Sequence, residues 1–392
     1  MSAAPARSRL RALTLVAPLF LFLCLFFVWP LATMMKQAVS DPVVSDALPK
    51  LAVAGAKWDR LSPPTPAMKT ALVEDLRALT NDQTLGDVTR RLNSAQAGFR
   101  TLMGKTANAA QSGEPVNLDE LDERWKDNAY WVAMVAAATA PYTDRNLLAA
   151  VDLQRDPAGA IEAMPPNTSA NRVIIERTFI ISGAVTALCI AIGLPYAMVA
   201  ASVTGWRRQA MLGAVLLPLW TSLLVRTAAW YIILQDTGIV NGLLQWLHLI
   251  DKPLPLIFNR LGVVIAMTHV LLPFMVLPIF SVLIAIPKNL MPAAASLGAP
   301  PLRAFWRVLL PLSLRGVVSG ALLVFMAAIG YYITPALIGG PTDQMISSVI
   351  AFYALNAANW SMAGALGIVL LAATILLYAI YNRLSGPQTV RP

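Results

Sequence analysis

Six stretches of this chain, about 12–35, 178–203, 210–235, 261–286, 314–338 and 362–382, are predominantly apolar. A hydrocarbon layer about 30 Å thick needs roughly 20 apolar residues at a helical rise of about 1.5 Å each, and every one of these runs reaches that length. Inside lipid a helix satisfies its own backbone donors and acceptors. The pattern therefore predicts an all-α membrane protein with six transmembrane helices. Composition agrees: 57% of the residues are hydrophobic and 13% charged, against roughly 25% charged in a soluble domain.

Basic residues in the short segments give the orientation. Arg7, Arg9 and Arg11 precede the first run, Arg207 and Arg208 separate the second and third, and Lys288, Arg303, Arg307 and Arg315 cluster around 288–315. Arg383 and Arg391 lie in the tail, whereas the opposite short loops hold only Lys252 and Arg260. Both termini are thus expected to be cytoplasmic: a tail at 1–11, a first span at 12–35 retained as an anchor, an extracytoplasmic segment at 36–177, a core at 178–385 and a tail at 386–392. Residues 36–177 carry 16 basic and 18 acidic side chains, while the rest carries 14 basic residues and only three acids, Asp236, Asp251 and Asp343. The net charge of +9 accordingly reports topology and contact with anionic lipid, not nucleic acid. Cys24 and Cys189 fall inside predicted spans, where a structural disulfide is not expected.

The outside segment reads as a small helical subdomain at about 45–141. Val88, Leu92, Ala95, Phe99 and Leu102 recur at three- and four-residue steps and predict one amphipathic helix. Pro63-Pro64 precedes another, and Asn117-Leu-Asp-Glu opens a third that is expected to continue through Trp131 and the alanines at 136–140. The subdomain holds no His or Cys and shows no catalytic constellation. Asn167-Thr-Ser matches a glycosylation acceptor pattern too short to carry weight. The chain has no G-x-x-x-x-G-K-[ST] phosphate loop and so does not itself bind ATP in the usual way.

Residues 288–312 interrupt the apolar pattern with MPAAASLGAPPLRAFWRVLLP (291–311) and its neighbours. Asn289 is placed to cap a short helix at about 290–297, Gly298 permits the left-handed turn that ends it, and Pro301 can open a second helix carrying Phe305, Trp306 and Leu309. One reading is an interfacial loop resting on headgroups; the other is a docking element whose Ala293-Ala294-Ala295 surface admits a close partner.

The second reading gains from a resemblance. Ala293, Ala294, Gly298 and Leu310-Pro311 resemble the cytoplasmic EAA loop of binding-protein-dependent ABC importer permeases, though Pro292 stands where that pattern has an acid. LPLWTSLLVRTAAWYIIL (217–234), GIVN (238–241), LLPFMVLP (271–278), YYITPALIGGP (331–341) and GLPYA (193–197) are similar to the spermidine/putrescine branch, with 45–141 as a large insertion. The resemblance implies a type I importer permease fold. It further implies a docking role for Ala293, Ala294, Gly298, Pro301 and Arg303, two partner ATPase subunits that hold ATP and Mg, a second permease chain and an extracytoplasmic solute-binding protein. The implied location is the bacterial inner membrane.

Polar residues within the runs are the pathway candidates. Arg226 is placed about 16 residues, or roughly 24 Å, above the cytoplasmic end of the third run. There it either snorkels to a carbonyl or headgroup, or lines an outer vestibule. His269, ahead of Pro273 and Pro278, is either a packing residue or a pathway residue. Trp230, Tyr331 and Tyr332 either form an aromatic path for an ammonium group or anchor the interface. No Asp or Glu lies in a predicted span, so a tight site for a polyamine is not expected in this chain. Two other classes are kept: a secondary transporter without an ATPase, weakened by the lack of an internal repeat, and a membrane-anchored interaction protein.

Overall fold

A computed structural model describes residues 6–79, 81–156, 160–166, 169–357 and 359–384. The acceptor pattern at Asn167 lies outside the described residues, as do both tail ends. The chain divides into two compact units, one of residues 1–148 with 360–365, the other of 149–359 with 366–392.

The first unit begins with a helix from Ala6 to Val39 that widens into a π-turn at Cys24–Val28. A helical subdomain follows. Thr65 caps Pro66–Ala78, Asn81 caps Asp82–Asn93, and Phe99–Gln111 comes next. Their inward faces bury Leu72, Leu76, Val88, Leu92, Phe99, Leu102 and Met103 around the Trp125 and Trp131 rings, whose centroids are 5.1 Å apart. An antiparallel bridge between Ser40 and Tyr142 closes the base, with the Asp41 N–H donating to Pro141 and the Thr143 N–H donating to Val39 at 2.8 Å each.

Two sequence expectations fail here for local reasons. The face from Val88 to Leu102 belongs to two helices, because Gly98 takes φ +106° and the Asn93 side chain caps the new helix through the Gly98 and Arg100 N–H groups. Ala95 is exposed in the turn. The segment from Asn117 to Ala140 is likewise not one helix. Asp122, extended at φ −157°, ends Leu118–Leu121, and Asp127 caps a fresh helix, Asn128–Thr139.

In the second unit, Asp152 accepts from the N–H groups of Asn171 and Arg172 at 3.0 and 2.7 Å. This cap starts the helix Asn171–Ser202 earlier than the expected 178. The fourth span, Arg260–Ala285, is the best buried of the candidate spans. Gly193 packs against its Met275, and Gly316 and Gly320 press on its backbone between Met275 and Ile279. A Cβ at Gly316 would stand 2.8 Å from the Ile279 Cα, and one at Gly320 would stand 3.0 Å from the Met275 carbonyl oxygen. The spacing of four brings both glycines to one helix face, the small-residue arrangement that lets membrane helices approach. Trp360–Leu384 forms the last span.

The third and fifth runs depart from expectation. The third is two helices, Trp206–Trp220 and Leu223–Ile233, bent by 100° at a break. Thr221 and Ser222 are extended there, and the Thr221 hydroxyl donates to the Pro218 carbonyl at 3.0 Å. The fifth is a helix over Pro301–Ile329, including a π-turn at Phe305–Leu309, followed by a separate short helix, Ile333–Ile338. The helix therefore starts within the interrupting segment, well ahead of 314. Five helices among the described residues are long and apolar enough to cross a membrane, or six if the bent pair counts as one span.

Candidate functional site

Two groups of residues stand out, an exposed elbow between the fourth and fifth spans and a polar cluster around the broken third span. The elbow is built by Leu290–Ser296 and Pro301–Ala304. Gly298, at φ +79°, donates to the Ala295 carbonyl at 2.9 Å, and Ala299 donates to the Ala294 carbonyl at 3.1 Å. These paired bonds close the helix end in the manner of a Schellman turn, where a left-handed residue satisfies the last carbonyls. Pro300 is extended and Pro301 begins the next helix without an N–H to waste. Asn289 occupies the cap position, but its side chain makes no capping bond. Ala293, Gly298, Pro301 and Arg303 are exposed and Ala294 is half-buried. The five docking candidates thus lie on these two short helices and the turn between them, four exposed and one half-buried.

The polar cluster gathers four of the five pathway candidates. The Trp230 Nε1–H donates to His269 Nδ1 at 3.1 Å, with the rings edge to face at 5.4 Å. This bond requires the tautomer with Nδ1 unprotonated. Arg226 lies within electrostatic range of both His269 and the Tyr331 phenol. Its Nε and one terminal nitrogen are buried with no acceptor among the described residues. Because Arg226 sits in the first turn of the half-helix after the 100° bend, the roughly 24 Å expected from a straight rise per residue does not apply to it. Pro273 is buried on the inner face of its helix. It bears on the cluster through the backbone, since its nitrogen has no proton for the His269 carbonyl four residues earlier.

Several positioning residues were not singled out from sequence. The buried hydroxyls of Thr227 and Thr334 meet at 3.2 Å and tie the half-helix to Ile333–Ile338. The Ser347 and Ser348 hydroxyls donate to the carbonyls of Tyr331 and Tyr332, holding the break at the end of the fifth span. Fully buried Asn241 donates to the Gln235 and Leu254 carbonyls and accepts from the Leu254 N–H at 2.9 Å. Thr227, Thr334 and Asn241 all lie in the stretches quoted above for their resemblance, so the signal was present and only the pairing was hidden. Chemically, the cluster offers hydrogen-bond donors, aromatic faces and one cation, and no nucleophile beside a base.

Residues 193–387 match the family described as binding-protein-dependent transport system inner membrane component. The chain is 34% identical over 200 residues to the spermidine/putrescine transport system permease protein PotB of Escherichia coli (strain K12), covering 51% of this chain and 73% of that protein. It is 32% identical over 231 residues to the inner membrane ABC transporter permease protein YdcU of the same organism, covering 55% and 73%. Among solved structures, a bacterial ABC transporter involved in alginate import aligns with a TM-score of 0.43 at 20% identity, covering 56% of this chain and 80% of that one.

Proposed function

The chain belongs to the family of binding-protein-dependent inner-membrane transport components, and from that premise we propose that it carries a small amine of the polyamine type inward, driven by ATPase subunits docked on the elbow at 290–304. It is a multi-pass permease subunit of an ABC importer. The observation that carries the mechanism is the elbow itself: two short helices locked by the turn at Gly298, projecting from the ends of the fourth and fifth spans. Closure of the motor on bound ATP and Mg moves this corner, and the helix that starts at Pro301 carries the movement into the bundle. The elbow and both termini are then on the cytoplasmic side.

The polyamine assignment draws on the likeness to PotB. Trp230 and Tyr331 offer aromatic faces to an ammonium group, while the neighbouring Arg226 cation opposes tight binding. That combination suits a passage of low affinity, with selectivity supplied by an extracytoplasmic solute-binding protein and the pathway completed by a second permease chain.

The test is uptake of labelled spermidine and putrescine into proteoliposomes holding the purified assembly and its binding protein. Uptake is expected to require ATP inside and to persist when ion gradients are collapsed. Gradient-driven uptake without ATP would instead establish a secondary transporter.

A further inference from the structure

The elbow carries cations that the chain leaves without partners. Lys288, Arg303, Arg307 and Arg315 are all exposed, and none has an acceptor among the described residues. Arg208, between the second and third runs, behaves differently: it donates to the Val203 carbonyl at 2.9 Å and to the Ala201 carbonyl at 3.3 Å, closing the C-terminus of the second span. Residues 287–315 contain no Asp or Glu. Three large apolar side chains stand among the cations, with Leu297 89%, Leu302 69% and Trp306 59% exposed. Pro292, in the first turn of Leu290–Ser296, brings neither a charge nor an N–H.

We infer that the surface gripping this elbow on the partner ATPase is a groove with an apolar floor and a rim of carboxylates. The inference rests on the permease reading above and names the chemistry of its partner. A basic rim would set like charges against Arg303 and Arg307 with no anion on this side to relieve them, and charge complementarity across an interface is what fixes register and excludes wrong partners. Leu297 and Trp306 give the contact its apolar centre, where large side chains contribute most. Anionic headgroups would also attract the cations. The permease reading above favours the ATPase over lipid as the occupant, and the lipid composition of the assay separates the two.

The experiment purifies tagged full-length chain from the cells that make it and follows the ATPase retained with it. Between about 0.1 M and about 1 M salt the screening length falls from roughly 10 Å to roughly 3 Å, and retention is expected to fall steeply across that range. Arg303→Gln should lower retention at the low-salt end by up to about fivefold, the upper range for one exposed ion pair, and Arg303→Glu and Lys288→Glu should lower it further. Pro292→Glu should weaken assembly as well, by setting an anion against the rim. Retention indifferent to salt and to Arg303→Glu, or tightened by Pro292→Glu, would overturn the inference. So would a salt dependence seen in phosphatidylglycerol nanodiscs and absent from phosphatidylcholine ones, which would assign the cations to lipid. If no ATPase accompanies the wild-type chain at any salt, the permease reading fails and the groove with it.

Discussion

Replacing Gly298 separates the geometry of the elbow from its bulk. The residue holds φ +79°, and a Cβ built there meets no heavy atom within 4 Å. Any penalty for a side chain within this chain is therefore conformational. A left-handed backbone costs an ordinary L-residue about 1–2 kcal/mol, a factor of roughly 5–30 in the population of the observed turn at RT of about 0.59 kcal/mol. Gly298→Leu should leave the spans folded, since the residue is exposed, but should cut uptake by about that factor and raise the ATP hydrolysed per solute carried. Asn tolerates the left-handed region, so Gly298→Asn should keep most of the coupling. The assay is ATP-dependent uptake with parallel phosphate release in proteoliposomes of the intact assembly. Wild-type uptake and coupling in Gly298→Leu would refute the docking role. Equal damage from Asn and Leu would refute the conformational argument and leave steric bulk as the cause.

Three further outcomes are expected. Trp230→Phe keeps an aromatic ring but removes the N–H that His269 accepts; losing one hydrogen bond of about 0.5–1.5 kcal/mol should slow initial uptake roughly 2- to 12-fold with assembly unchanged by size-exclusion chromatography. Gly316→Leu drives a side chain into the backbone at Pro278 and Ile279 and should cost about 1–3 kcal/mol or more, read as a lowered melting temperature in detergent. In the outer subdomain, burial holds the Asp75 carboxyl above the usual carboxylate range despite N–H donation from Leu51 and Lys50. The folded state then binds more protons than the unfolded one above about pH 3.9, so this group's contribution to stability falls as pH rises through the window up to the raised value. Asp75→Asn should flatten that slope, followed by the fluorescence of buried Trp125 and Trp131 during denaturation.

Much of this architecture is legible because its signals are local. Apolar length marks the spans, and the Gly298 and Pro301 punctuation places the elbow's two helices within a residue or so. The misses share a cause: they depend on what lies opposite. The run 210–235 is long enough to cross as one span, and Pro218 with two small hydroxyl residues, Thr221 and Ser222, does not announce a 100° bend. Broken backbone at membrane depth survives only with support from the rest of the protein, which here includes the bond between Thr227 and Thr334. The three- and four-residue spacing from Val88 to Leu102 runs through Gly98 by coincidence, since two helices pack on one core from different directions. Arg226, Trp230, His269 and Tyr331 were each open to a bland account taken singly, and it is their convergence on one cluster that distinguishes them.

If the elbow is the docking element as proposed, the packing offers a route from it to the cluster. The helix that starts at Pro301 continues to Ile329, and a helix moves as a rod except where its hydrogen bonding loosens. The regular ladder changes at the π-turn Phe305–Leu309, where the Leu310 N–H donates to the Phe305 carbonyl in a wider ring, just beyond the elbow, and such turns recur at functional positions in helices. Past it, Gly316 and Gly320 leave no gap between the fifth span and the fourth at Met275–Ile279, so displacement of one backbone must displace the other. On the proposed docking, the fourth span would carry the movement to His269, which is joined to Trp230 by a hydrogen bond. If ATPase subunits dock on the elbow as proposed, a force applied there would cross the π-turn and then the gaps that Pro278 and Pro273 leave in the fourth span's hydrogen-bond ladder, and close packing between those joints would hand it on to the broken third span.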